Sequence, residues 1–501
     1  MQSTLLAFLT SPWATVAAVG LQTVSVIGLF GYAVGQSHLI YLYIRRGPSP
    51  VPAPRPRVDD GDLPFVTVQV PMYNERHVAC EVMNACAAFD WPRDRLELQI
   101  LDDSTDDTGQ IIDERAAFWR SRGLIVEVVR RSHRDGYKAG ALAHGTPTAR
   151  GEFLALFDAD FRPHPDFLRQ MMPRFADPRV GFVQARWGHI NRTWSALTRA
   201  QSIVLDAFYL VEQEARHRAG LMIRFNGSAG VWRASAIADA GGWHADTLSE
   251  DYDLALRAQL RGWRGDYAVE VVAPAELPVN MLDYKLQQTR WARGRGQVMR
   301  KLLPTLWRAE LRPLVKAHVI FDMLNIFTVP SILLFAFLSP WLMLVLAARP
   351  SLQPFALGLT LIQMPLNAAL VPVIVWMAVR PYGRTLAQHL AEFLRGIAPF
   401  MLLMLGANVV MLTAFAAGLR GGSAVFHRTS KYNLTGASDS WRSSVYRPSA
   451  VSRVTWLEGL AALYFAAVFA LDVVTGGVGW MPFHLFLTLG FGAMFVLSLA
   501  H

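Results

Sequence analysis

Apolar positions fall along the chain in two regimes. Over 13–43, and again near 317–347, 354–379, 398–418, 456–475 and 479–500, they run almost unbroken. A helix needs about 20 such residues to cross the hydrocarbon of a bilayer, so these runs predict membrane helices. Between about 65 and 300 the apolar runs are short and punctuated by glycine, proline and acidic residues. There 65–70, 96–101, 125–129 and 153–157 predict buried strands, and about 75–89 and 108–122 predict helices. Strands alternating with helices predict a mostly parallel, doubly wound α/β sheet, with ligands at the carboxyl ends of its strands.

The apolar runs and their basic flanks set an expected order of segments. Residues 1–46 form an N-terminal transmembrane helix; its apolar stretch is too long, and lacks the early basic region, of a secretion signal. Arg45 and Arg46 follow it directly, which puts the domain after them on the cytoplasmic side. A proline-rich, extended linker occupies 47–64, and a cytosolic domain occupies 65–285. An arginine-rich stretch, 286–316, predicts helices on the membrane surface. A transmembrane hairpin over 317–379 follows, and the chain ends in another over 456–501. The segment 419–455 carries Arg420, Arg428, Lys431, Arg442, Arg447 and Arg453, a basic bias that favours the cytoplasm. For it to lie there, 380–418 is expected to be an interfacial or re-entrant helix broken at Pro399. That gives five spans, with six as the alternative.

Composition narrows the classes. Of 501 residues, 52% are hydrophobic and 17% charged, with a net charge of +9. The excess charge follows the arginines flanking apolar segments, so a membrane surface explains it and nucleic acid is not expected as a partner. Cys80 and Cys86, the only two cysteines, lie in one predicted helix on different faces, so neither a disulfide framework nor a zinc site is expected. A reducing, cytosolic setting for this domain fits that usage.

Candidate chemistry sits at strand ends. Asp158-Ala159-Asp160 follows a predicted strand and offers two carboxylates for a hard divalent cation, Mg²⁺ or Mn²⁺, that would neutralise a diphosphate. Asp-x-Asp alone is a weak motif; its place after an apolar strand gives it weight. Asp103, in Leu101-Asp102-Asp103-Ser104-Thr105-Asp106, is expected to accept a hydrogen bond from a nucleotide, whereas Asp106 suits a helix cap. Ser249-Glu250-Asp251 stands before an amphipathic helix. Asp251 is the candidate general base with Glu250 beside it, although acidic residues also belong at helix N-termini for the dipole alone. Lys138, in a glycine-flanked loop, could reach a phosphate or sugar. Gln287, Arg290 and Trp291 bring an amide, a guanidinium and a flat ring together to hold a sugar end. Most of the fifteen tryptophans are expected to be core or interface anchors.

These motifs, in this order, resemble the processive membrane enzymes of glycosyltransferase family 2, above all the plant cellulose-synthase-like A and C proteins and their bacterial relatives. The likeness covers about 65–300, and its opening motif is Val68-Gln69-Val70-Pro71-Met72-Tyr73-Asn74-Glu75. It implies a GT-A-type, Rossmann-like catalytic domain joined to a helical transmembrane bundle. It also implies nucleotide contacts at Tyr73, Glu75, Asp103, Lys138 and Asp158, metal at Asp158 and Asp160, and Asp251 as the base. Gln287, Arg290 and Trp291, with Phe225 and Gly227 of the loop Phe225-Asn226-Gly227-Ser228, would hold the acceptor and pyrophosphate. Downstream, Phe426-His427-Arg428-Thr429-Ser430-Lys431 resembles the gating loop of cellulose synthases, with Phe426, Thr429 and Lys431 at the family's positions and Arg428 in place of its valine. A cyclic-dinucleotide-binding domain like that of bacterial cellulose synthases is not expected.

The expected function is that of a processive, inverting β-hexosyltransferase of the inner (plasma) membrane. It would take UDP-glucose or GDP-mannose and build a β-linked, commonly β-1,4, polysaccharide that crosses the bilayer, with accessory export proteins as possible partners. The alternative is a glycolipid synthase acting on ceramide or diacylglycerol. A non-catalytic transport component fits poorly with intact carboxylates in all three acidic motifs.

Overall fold

A computed structural model describes residues 9–47, 60–422, 425–434, 441–444, 446 and 451–500. Most of the expected linker, and some of 419–455, therefore lie outside the described residues. The first half of the chain is built on a seven-stranded sheet of β1 (Val66–Met72), β2 (Leu96–Asp102), β3 (Ile125–Arg130), β4 (Phe153–Leu156), β5 (Val180–His189), β6 (Gly230–Arg233) and β7 (Arg264–Ala275), in the order β3-β2-β1-β4-β6-β5-β7. β1 runs parallel to β2 and β4, β2 to β3, and β5 to β7; β6 is antiparallel to both its neighbours.

The register follows from alternation in the sequence. Thr67 pairs with Glu97 and Gln69 with Gln99, so polar side chains share one face and Val66, Val68 and Val70 the other. The buried polar groups satisfy one another, as they must away from water: the Thr67 hydroxyl donates to Glu97 at 2.6 Å and the Gln69 amide to Gln99 at 2.8 Å. From β1 the chain winds one way to β2 and β3, then crosses to β4 on the other side. The edge beyond the carboxyl ends of β1 and β4 is therefore a topological switch point. Because β6 is reversed, the loop before it arrives at this same edge, as do the ends of β5 and β7.

The helix Met281–Arg308 joins the sheet domain to the membrane helices. Asn280 caps it, accepting from the Asp283 N–H at 2.9 Å, and it runs on through Pro304. It crosses the helix Asn408–Arg420 at a glycine contact: a Cβ on Gly418 would lie 2.2 Å from the Arg293 carbonyl oxygen and 3.1 Å from the Gly296 Cα. Only backbones without side chains approach so closely. Ion pairs reinforce the junction. Lys285 pairs with Glu458 and donates to Thr455 at 3.2 Å. The buried Asp322 carboxylate pairs with Arg224 and with Arg216 at 2.8 Å, and accepts from the Tyr252 hydroxyl at 2.8 Å. Within the bundle His484 bridges Asp472 at 2.6 Å and Ser339 at 2.9 Å, a fully buried polar set linking three helices.

Among the described residues five helical segments are long and apolar enough to cross a membrane: Pro12–Arg46, Pro313–Ala348, Leu386–Gly406, Arg453–Thr475 and Met481–Leu499. This set differs from the expected one in two places: it includes a stretch of 380–418, and it does not include the helix Gln353–Ala378, which covers the expected span 354–379. The break expected at Pro399 is not made. The helix Leu386–Gly406 continues through that proline, and the chain re-starts at Asn408 after Ala407. A proline removes one helical hydrogen bond, a cost that neighbouring helices can offset.

The glycine crossing gives a direct test. Gly418→Leu should cost about 1–3 kcal/mol by overpacking. The detergent-solubilised protein should then melt several degrees lower, whereas Gly358→Ala, where a Cβ meets nothing within 4 Å, should not. A wild-type melting point for Gly418→Leu would show that the helices cross with room to spare.

Candidate active site

Loops after β1, β2, β3, β4 and β7, the loop before β6, the start of the helix Glu250–Leu260 and the second and third turns of Met281–Arg308 line one open cleft. It collects Tyr73, Glu75, Asp103, Lys138, Asp158, Asp160, Gly227, Glu250, Asp251, Gln287, Arg290, Trp291, Phe426, Thr429 and Lys431. Phe225 is the exception among the expected residues. It is fully buried, edge-on to Phe182 at 5.8 Å and Trp232 at 5.3 Å, and supports the loop from behind. A large apolar ring gains more from that core than from a polar cleft.

Carboxylates at the strand ends are compensated by cations. Arg131 holds Asp103 at both oxygens, at 3.0 and 2.5 Å, so the aspartate meets the cleft with its orientation fixed. Lys138 pairs with Asp158 and donates to the Gly227 carbonyl at 2.8 Å. Lys431 pairs with Asp160 at 2.5 Å and donates to the Glu276 carbonyl at 2.9 Å. Arg428 pairs with Glu75 at 3.4 Å. Burial pulls both lysine ammoniums down, but the facing carboxylates outweigh it and hold them above the usual value. Burial, aided by the Asp160 and Asp158 charges, pushes Glu75 up to about 8. Asp158 and Asp160, each held by a lysine ammonium, offer hard oxygen ligands of the kind a divalent cation takes.

Glu250 and Asp251 sit at the first turn of their helix, and among the described residues neither carboxylate makes an ion pair. Burial raises both carboxyls; the neighbouring Asp251 charge adds to it and carries Glu250 to about 7. A pair so coupled titrates as a unit. Gly227, with φ of +79°, lies against this pair, and a Cβ there would stand 2.8 Å from an Asp251 oxygen. Positive φ at non-glycine residues also gathers here, at Asn74, Tyr137, Ala229 and Asn433. Strain of this kind persists where the surroundings enforce a geometry.

Residues 425–434 reach this cleft from far downstream. Phe426 lies under the Arg290 guanidinium at 4.7 Å and stacks on Tyr137 at 6.0 Å. The segment is clamped by two acidic residues that no sequence motif singles out. Glu276 accepts from the N–H groups of Tyr432 at 3.1 Å and Asn433 at 2.9 Å, and Asp283 accepts from the Tyr432 hydroxyl at 3.1 Å. A further strap runs through Tyr446, which stacks under Arg428 at 4.1 Å and donates to Asp106 at 2.7 Å. Asp106 also accepts from the Thr108 N–H at 3.0 Å, although the N-cap position of that helix is Asp107, one residue beyond the cap expected from the sequence.

Trp187 and His189, at the end of β5, also line the cleft, and Trp187 donates to the Ser228 carbonyl at 3.2 Å. Only their place at a strand end could have marked them. Among the described residues His244, Asp246 and Asp253 group as metal ligands would. The Lys301 ammonium already lies 3.0 Å from His244, 2.8 Å from Asp246 and 3.0 Å from Asp253, so a cation of the chain's own fills that position.

Glu276→Gln should weaken the clamp, since hydrogen bonds to a charged acceptor contribute about 1.5–3 kcal/mol against about 1 for neutral ones. Amide hydrogen exchange of 425–434 should rise about tenfold or more, with β1 and β2 unchanged. Unaltered exchange in this segment would show that Glu276 does not hold it.

Residues 67–237 match the family described as Glycosyl transferase family 2, and residues 153–497 that described as Glycosyl transferase family group 2. Glucomannan 4-beta-mannosyltransferase 2 of Arabidopsis thaliana is 41% identical over 267 residues, 52% of this chain and 50% of that protein. Glucomannan 4-beta-mannosyltransferase 1 of Oryza sativa subsp. japonica is 39% identical over 279 residues, 54% of each. The matches thus span about half the length of these curated relatives. Among solved structures, mannosyltransferase PcManGT from Pyrobaculum calidifontis, in complex with GDP-Man and Mn²⁺, overlaps 73% of this chain and 97% of its own at a TM-score of 0.49 and 22% identity. With the match over 153–497 taking in well over half of its length, this chain belongs to the family described as Glycosyl transferase family group 2.

Proposed function

We propose that the chain is a processive, inverting hexosyltransferase that builds a β-1,4-linked polysaccharide from a nucleoside-diphosphate sugar at the cytoplasmic face of the plasma membrane and passes it through its own helical bundle. One observation carries this reading. The helix bearing Gln287, Arg290 and Trp291 lines the cleft and is also locked to membrane helices through Gly418 and the Lys285–Glu458 pair. An acceptor held there would grow beside the bilayer. The plant relatives are named for 4-beta-mannosyl transfer, which favours mannose as the hexose.

The chemistry assigned to the residues is a single displacement. The acceptor hydroxyl oxygen attacks the sugar C1 from the face opposite the diphosphate; the new C–O bond forms as the bond to the phosphate oxygen breaks. The proton passes to Asp251, whose burial keeps it a stronger base than an exposed aspartate. Lys138 and Arg290 meet the charge leaving on the diphosphate. Trp291 offers a flat face to the acceptor ring and Gln287 an amide to its hydroxyls. Asp158 and Asp160 would hold Mg²⁺ or Mn²⁺, which neutralises a diphosphate leaving group when bound. Lys138 and Lys431 would then exchange carboxylate for phosphate as partner.

Asp251→Asn should lower kcat by about 10²–10⁴-fold with nucleotide affinity kept. In the wild type Asp251 must lose its proton, and burial raises its carboxyl, so kcat/KM should rise with pH along an acid limb displaced above the range of an exposed aspartate. Glu250→Gln removes the neighbouring negative charge and should move that limb to lower pH. A limb that stays in place would remove Glu250 from the titrating pair.

Product analysis separates the polymer from its alternative. The purified enzyme should make material that resists organic extraction, without added lipid, and deletion of 426–431 should end elongation. Mono- or diglycosyl lipids as the only products would establish a glycolipid synthase instead.

A further inference from the structure

Arg134 stands apart from the other cations of the cleft. Arg131, Lys138, Arg428 and Lys431 are each paired with a carboxylate. The Arg134 guanidinium carbon lies over the Tyr73 ring, 3.4 Å from its centre, and 4.9 Å from that of Tyr137. Its Nε–H is shielded from solvent with no acceptor, and among the described residues its side chain makes no ion pair. Asp103, the carboxylate whose charge reaches it, is already held at both oxygens by Arg131. Shielding even one guanidinium N–H from water without an acceptor is costly unless a ligand supplies one.

Its place in the fold says which end of the donor it meets. Arg134 comes from the loop after β3, the outermost strand; β2, β1 and β4 follow in order, and the carboxylates Asp158 and Asp160 lie beyond β4. A nucleoside-diphosphate sugar with its diphosphate at Asp158 and Lys138 has its base extended toward β3. The residues met there are Tyr73, Asp103 and Arg134, all lining the cleft. Arg290, the cleft's other guanidinium without an ion pair among the described residues, is at the opposite end of a ladder running Tyr73, Arg134, Tyr137, Phe426, Arg290. The two guanidiniums thus serve different ends of the donor.

Building on the nucleotide-sugar reading above, we propose that Arg134 is the residue that reads the nucleobase, and that it selects guanine. One face of the guanidinium is committed to Tyr73, so what it offers is its edge, two parallel N–H donors. Guanine presents two acceptors, O6 and N7, at the matching spacing. Adenine sets an N6 donor beside N7, and the uracil O4 has no second acceptor at that spacing. The rigid fork, and not the charge alone, makes the choice.

The test is binding of GDP, UDP and 7-deaza-GDP, with Mn²⁺, to the full-length protein in detergent by calorimetry. The wild type should bind GDP about 10- to 100-fold tighter than UDP, and 7-deaza-GDP, which lacks the N7 acceptor, should fall toward UDP. Arg134→Leu and Arg134→Lys should both weaken GDP by about that factor while leaving UDP within threefold, the lysine because it keeps the charge without the fork. In both variants 7-deaza-GDP and GDP should bind alike. The 7-deaza comparison on the wild type needs no variant to fold. Equal weakening of GDP and UDP would reassign Arg134 to the phosphates and overturn the proposal, as would wild-type binding of 7-deaza-GDP at the strength of GDP. A wild-type preference for UDP would overturn guanine selection and leave sugar transfer standing. Binding of neither nucleotide would remove the donor reading itself.

Discussion

Negative charge concentrated at one edge of a sheet must be compensated, and much of this structure follows from that. Glu75, Asp103, Asp158 and Asp160 all stand where parallel strands end. Bare carboxylates that close would raise one another's proton affinity and open the loops that carry them. The chain answers with one cation for each. Arg131 and Lys138 arrive locally from the turn after β3, whereas Arg428 and Lys431 arrive from a segment beyond most of the membrane helices. The distant segment is thus drawn in by the same electrostatics that would draw in a metal-bound diphosphate.

Compensation makes the cleft competitive. A ligand with its own positive partner can take the place of a lysine without leaving a carboxylate bare, and the lysine can turn to phosphate. The segment 425–434 is also held by neutral donors to buried acidic residues, through Glu276 and Asp283. Its position therefore does not rest on ion pairs alone. Glu250 and Asp251 lack such an ion pair, and burial raises both carboxyls instead, Glu250 to about 7. Compensated carboxylates suit binding; a raised, uncompensated pair suits proton transfer.

The helix Met281–Arg308 ties the cleft to the membrane helices. Its second and third turns face the cleft, Lys285 reaches Glu458, and Gly296 meets Gly418 backbone to backbone. The buried Asp322, with Arg216, Arg224 and Tyr252, repeats the arrangement on a second helix. Buried ion pairs are weak sources of stability but costly to break on one side, so they fix the relative position of the two halves.

The sequence alone determined the alternating strands and helices, the two apolar flanks and the carboxylates at strand ends. Each of these is written in local periodicity and in motifs whose place along a strand decides their place in a parallel sheet. It led to the cleft through Asp103, Asp158, Asp160, Asp251 and Arg290, and to the downstream segment through Phe426, Thr429 and Lys431. What it did not carry are relations between distant positions. Nothing local marks Arg131 as the partner of Asp103, Glu276 as the clamp on Tyr432 and Asn433, or Gly418 as the seat of Gly296. Phe225 looked like a ligand because its loop does, yet the pull of a buried aromatic core took its ring away. Pro399 looked like a break because an isolated helix would lose a hydrogen bond there, yet the helix runs through it among its neighbours. Local pattern sets which elements form and which faces are polar; only packing decides which charge meets which, because that depends on surfaces hundreds of residues apart being folded against one another.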